Sequence, residues 1–159
     1  MERVPMPLGT ISSMRPARTI QNLADLEMEA VALVSELRPK QDSATLITLS
    51  GDLGAGKTAF TQAIARTLGV TEPVTSPTFV LAKAYDLSGK EFSKLVHIDA
   101  YRLTEGKDLR ALDLARTLED SRTLVILEWP EMVEDGLPHA DVAITLTVRS
   151  DTERDIAYA

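Results

Sequence analysis

From Asn22 onward, apolar residues fall at Leu23, Leu26, Ala30, Leu33, Val34 and Leu37, a spacing that puts them on one face of a helix. Asn22 can cap its start and Pro39 can stop it. After the polar loop RPKQDS, the run ATLITLS (44–50) is short and β-prone and ends in glycine-rich sequence. KTAFTQAIARTLG follows, with Phe60, Ala63, Ile64, Thr67 and Leu68 on one face and Gly69 as a stop. The order is strand, glycine loop, helix.

Further on, TFVLAKAYDLSGKEFSKLVHIDAYRL (78–103) divides into two extended runs joined around Ser88 and Gly89, which predicts a hairpin with its second arm ending near Asp99. A helix is expected next, carrying Leu109, Leu112, Ala115 and Leu118 on its inner face. TLVILEW (123–129) is almost continuously apolar, as a strand covered on both faces should be, and Pro130 ends it. The last run, DVAITLTVRS, alternates Val142, Ile144, Leu146 and Val148 with more polar residues, so one face of that strand is expected in solvent. Interleaved strands and helices give an α/β class with a mixed sheet between helical layers.

Length and composition add bounds. The chain has 159 residues, 44% of them hydrophobic, enough for one domain with a useful core. Residues 1–19 hold three prolines and little periodicity, so we expect a loosely ordered arm there and a single domain over 20–159. No apolar run approaches the roughly 20 residues of a membrane helix, and no role at a membrane is expected. The absence of cysteine excludes disulfides and thiolate chemistry and suits a reducing compartment, so the cytoplasm is the expected location. A formal net charge of −7 argues against a broad basic face for nucleic acid.

The chemistry concentrates in SGDLGAGKT. Gly51-x-x-x-x-Gly56-Lys57-Thr58 is a complete Walker A pattern, with a strand expected before it and a helix after it. Glycines let successive N–H groups turn inward as an anion nest at the positive end of the helix. Asp52, Leu53, Gly54 and Ala55 supply the rest of that backbone. Lys57 is expected on the β- and γ-phosphates of ATP and the Thr58 hydroxyl on Mg2+. The expected fold is therefore that of a P-loop NTPase, a three-layer α/β/α sandwich with a mixed, partly parallel central sheet.

Magnesium calls for carboxylates, and two acids end strands where they can face the loop: Asp99 in LVHIDA and Glu128 in TLVILEW. Either can bind metal or orient the attacking water. TSPTF (75–79) is either a γ-phosphate sensor, through Ser76 and Thr78, or a proline-stiffened turn. Trp129, the lone tryptophan, either packs in the core or borders the site. His97 and His139 lack ligand-spaced partners and read as structural, and the acidic LED and EDG clusters read as solvated faces.

The chain's single asparagine, Asn22, lies upstream of the P-loop, so the Asn-Lys-x-Asp motif by which GTPases select guanine is missing. A small-molecule kinase needs an arginine-bearing lid. The expected hairpin offers lysines and no arginine, so that class is the alternative reading. A nucleotide-regulated binding protein without hydrolysis is a third.

SGDLGAGKTAF, SPTF, HIDAYRL and LEWPE, in this order and at these spacings, resemble the TsaE (YjeE) family, the small ATPase of bacterial tRNA threonylcarbamoyladenosine modification; the match runs over 44–131 and weakens beyond. The resemblance implies an Mg2+-dependent ATPase, feeble alone, that works with the proteins TsaB and TsaD in N6-threonylcarbamoyladenosine (t6A37) modification and meets tRNA only indirectly, through that complex. By the same resemblance residues 51–58 hold the phosphates, Thr58 and Glu128 hold Mg2+, Asp99 is an essential site acid counted with them at the metal, Trp129 is its functional neighbour, Ser76 and Thr78 lie in a switch-like segment, and Arg154 contacts nucleotide. Two departures stand out. The N-terminus is longer than the family's and its helix lacks a glycine, and Asp113 stands near a position where the family has glycine.

Overall fold

The computed structural model describes residues 15–75, 81–88 and 91–159. In chain order the elements are β1 (Arg18–Ile20), α1 (Leu23–Glu36), β2 (Thr45–Ser50), α2 (Lys57–Thr67), β3 (Ala82–Asp86), β4 (Lys94–Asp99), α3 (Leu114–Thr117), β5 (Thr123–Glu128), β6 (Val142–Val148) and β7 (Arg154–Tyr158). Short 3-10 segments lie at Gly106–Leu112, Pro130–Met132 and Glu134–Gly136.

The strands form one sheet in the order β1-β7-β6-β2-β5-β4-β3. Its centre is parallel, because β2 pairs with both β5 and β6 in the same sense and β5 pairs likewise with β4. Both margins are antiparallel, through β3 against β4 at one side and β7 against β6 and β1 at the other. The apolar runs of β2 and β5 are explained by this placement: they are interior strands, covered on both faces. On one face α1 and α2 close a core with Ile47, Leu49, Leu124 and Ile126. On the other, Leu46, Val125 and Leu127 pack with Leu109 of the first 3-10 segment, Leu114 of α3 and Val133 between the last two 3-10 segments.

α1 starts as its sequence predicts. The Asn22 side chain accepts from the Asp25 N–H at 2.9 Å, and Asp25 in return accepts from the Gln21 N–H at 3.0 Å. The expected hairpin is present as β3 and β4, with Tyr85 opposite Leu95.

Two expectations need correction. The single helix expected over Leu109 to Leu118 is broken into the 3-10 segment and the short α3, because Asp113 between them takes a left-handed conformation at φ 54°. That is the position where glycine would be at ease. Ahead of the break, the Asp108 carboxylate ties down the backbone N–H groups of Thr104 and Glu105. Gly106 then packs directly on Gly136, so closely that a Cβ on either would overlap the other's backbone, and its N–H donates to Asp135 Oδ1 at 2.7 Å.

Strands β1 and β7 were not expected. Of the stretch read as an arm, Arg18 and Thr19 belong to β1, and Arg15 reaches Glu29 and Glu36 on α1. Glu29 itself is buried and accepts from Tyr158 Oη at 2.6 Å. No helix among the described residues is long and apolar enough to cross a membrane.

Candidate active site

The glycine loop leaves β2 where the neighbours of that strand diverge, to β5 on one side and β6 on the other, the place where open α/β sheets form a crevice. Gly51 sits at φ 146° with the Leu146 carbonyl of β6 so near that a Cβ would overlap it, so no larger residue fits this approach. Gly56, left-handed at φ 103°, is the N-cap of α2 and makes no side-chain capping bond. The helix therefore presents its unpaired N–H groups and positive end to the crevice.

A cavity of about 440 Å³ opens there. Its walls bring together Leu53, Gly54, Gly56, Lys57 and Thr58 with Asp99, Glu128 and Trp129, residues separated by some seventy positions in the chain. Parallel pairing of β4 and β5 sets Asp99 beside Glu128 in register, both at the carboxyl ends of their strands. Thr58 Oγ lies 3.0 Å from Glu128 Oε1 and 3.3 Å from Oε2. Asp99 Oδ1 accepts from the Tyr101 N–H at 3.0 Å.

Lys57 is almost wholly buried, its ammonium donating to the Gly51 carbonyl and, at 3.0 Å, to that of Asp52. Burial pulls its pKa below the ordinary lysine range, against the opposing fields of Glu128, Glu131, Asp99 and Asp52. The same ammonium lies 4.1 Å from the centre of the Trp129 ring. Trp129 takes a left-handed backbone at φ 61°, which turns the chain at the end of β5 and carries the indole over the crevice, 4.9 Å from the Tyr101 ring. It lines the cavity and also packs against the second core.

Asp52 is exposed, and its carbonyl also accepts from the Ala55 N–H at 3.0 Å. Ala55 is buried and faces a second cavity of about 490 Å³ on the other side of the loop. Arg154 reaches that cavity from β7 and grips the Gly54 carbonyl through Nε at 3.3 Å and Nη2 at 3.1 Å. Gln21, Asn22, Leu23 and Leu26 at the head of α1 form its opposite wall. Ser76 and Thr78 lie outside the described residues. The sequence reading passed over Arg102 and Tyr101, which line the first cavity, and took as structural His97, whose Nε2 contacts Glu128 Oε2.

Comparison with known proteins decides what this arrangement is. The family described as "Threonylcarbamoyl adenosine biosynthesis protein TsaE" matches residues 21–156. The chain belongs to the TsaE family. It is thus a member of a P-loop ATPase family of tRNA threonylcarbamoyladenosine modification. The TsaE of Mycobacterium tuberculosis is 36% identical over 132 residues, 78% of this chain and 77% of that protein. The TsaE of Bacillus subtilis is 35% identical over 113 residues, 71% and 68% of the two chains. Among solved structures, Bacillus subtilis YdiB superposes with a TM-score of 0.71 at 28% identity, covering 90% of this chain and 83% of its own. The mixed, partly parallel sheet and the glycine loop at its crevice are thus those of the TsaE fold.

Proposed function

We propose that this TsaE family member binds ATP together with Mg2+ and hydrolyses it slowly on its own, and that in the cytoplasm a TsaB–TsaD complex accelerates the hydrolysis. The observation that carries the reading is the contact of Thr58 Oγ with the Glu128 carboxylate at the mouth of the glycine loop. Hydroxyl and carboxylate oxygens so placed are hard donors, of the kind Mg2+ takes in phosphate sites. Glu128, Glu131, Asp99 and Asp52 all act on the Lys57 ammonium, so a triphosphate entering the crevice meets carboxylates whose charge a bound cation would offset. The donor set fits the ion: Thr58 and Glu128 would hold it, with Asp99 alongside. When bound, Mg2+ supplies charge neutralisation across the β- and γ-phosphates.

The chain's own groups do the rest. Backbone N–H groups at the head of α2 and the Lys57 ammonium hold the phosphates, and Trp129 over the crevice keeps bulk water from them. Asp99 orients the water that attacks the γ-phosphorus as the bond to the β-bridging oxygen breaks, giving ADP and phosphate. The second cavity, between Arg154 and the head of α1, is where the nucleoside end would lie. A kinase lid has no support, since β3 and β4 are built into the sheet margin. Coupling to TsaB–TsaD would come from the difference in their affinity for the ATP and ADP states.

The test compares ATP binding with phosphate release, with and without TsaB–TsaD, for wild type and for Lys57→Ala, Asp99→Ala and Glu128→Ala. Low release alone, stimulation by the pair, lost binding in Lys57→Ala and lost release with retained binding in Asp99→Ala are expected. Rapid partner-independent transfer to a small acceptor would overturn the reading in favour of a kinase. Unchanged release in Glu128→Ala would remove the metal assignment.

A further inference from the structure

His97 lies on β4 two residues before Asp99, wholly buried, and the steps above make no use of it. Parallel register sets it opposite Ile126 and sets Asp99 opposite Glu128. His97 and Glu128 are therefore diagonal neighbours on one sheet face, the face that carries Leu95, Leu124 and Ile126 into the core with α2. Its Nε2 contacts Glu128 Oε2, and its Nδ1 is buried with no hydrogen-bond partner among the described residues. An imidazole nitrogen that hydrogen-bonds an ionised carboxylate must carry the proton, because the carboxylate oxygen can only accept. An unpartnered Nδ1 is a cost that an apolar residue at this position would avoid.

We propose that His97 is a positioning residue for hydrolysis, its Nε2–H fixing the Glu128 carboxylate so that Oε1 faces Thr58 and the metal. Thr58 cannot set that orientation, because it lies at nearly equal distances, 3.0 and 3.3 Å, from the two carboxylate oxygens. His97 touches Oε2 alone. Glu128 is only 2% exposed, so bulk solvent reaches it little. Groups that hold a metal-binding carboxylate from behind typically matter about 10–100-fold in metal affinity or activity. This role rests on the ATPase reading above.

The test uses the full chain in excess over ATP, follows a single turnover while Mg2+ is varied, and compares wild type with His97→Gln and His97→Asn. A glutamine amide nitrogen reaches the place of Nε2, whereas that of asparagine stops near Nδ1. His97→Asn is expected to lose about 10–100-fold in rate and to require more Mg2+, with unchanged affinity for ATP in EDTA. His97→Gln should retain most of the rate. Thermal unfolding checks that both fold, and His97→Met, which fills the volume without a donor, replaces the asparagine variant if it does not. Equal losses in the glutamine and donor-short variants, or no loss in either, overturn the positioning role while wild type still hydrolyses ATP. A wild-type chain with no Mg2+-dependent hydrolysis overturns the ATPase reading itself.

Discussion

Replacing Lys57 with methionine separates what that side chain does for the nucleotide from what it does for the fold. Lys57 is 5% exposed, and burial holds its pKa below the lysine value of 10.5. A folded value lowered in this sense means that the charged form is disfavoured by folding. The penalty is present at every pH below the lowered value and is relieved as pH rises through it towards 10.5. Near neutrality the charge therefore weakens the fold, and methionine, of similar length and at home against the Trp129 ring, removes the penalty. For binding the sign reverses. An ammonium about 4 Å from a phosphate charge contributes about 4 kcal/mol at an effective dielectric constant of about 20, which is about a thousandfold in Kd. With MgATP about a hundredfold above the wild-type Kd, wild type gains about 2.7 kcal/mol. In a chain of this size that raises Tm by about 5–11 °C. For Lys57→Met the same MgATP concentration gives less than about 0.1 kcal/mol and no visible shift. Thermal unfolding with and without MgATP reads both effects. A variant that melts well below wild type without ligand, or that keeps the MgATP shift, refutes the reasoning.

Glu29 gives a pH test away from the site. Burial opposes its charge, but hydrogen bonds from Tyr158 and Arg15 outweigh burial and hold the carboxyl below its usual 4.5. Its stabilisation is present above pH 4.5 and is lost as pH falls through the lower folded value. Glu29→Gln should cost about 3 kcal/mol near neutrality, and denaturant unfolding at a series of pH values should show the gap closing on acidification. Asp113→Gly should stabilise the fold by about 1 kcal/mol, since only glycine sits in the left-handed region without strain; a lower denaturation midpoint would contradict this. The fluorescence of the lone Trp129 should change when MgATP is added, and an unaltered spectrum would mean that the indole does not border bound nucleotide.

The loop, its helix and both acids were legible in the sequence because each depends on local order: a fixed glycine spacing, or a carboxylate ending an apolar run. His97 was not. Its partner is 31 residues away and becomes a neighbour only through the parallel register of β4 and β5, and spacing along one chain says nothing of register. The head of α1 escaped notice for the same reason, since its approach to Gly54 and Arg154 depends on β7 folding back as a short margin strand. Three residues of β1 carry too little alternation to read. The broken helix was a conflict of two local signals. Leucine spacing favoured one helix, and a single left-handed residue at Asp113 ended it.

The back-to-back glycines at 106 and 136 act as a rivet. One belongs to the segment that follows Asp99, the other to the segment that follows Glu128. The two acids are thus clamped twice, by strand pairing ahead of them and by the rivet behind. They form one stiff jaw, and any parting of the crevice to let nucleotide in or out must come from the opposite side, where Arg154 grips the glycine loop.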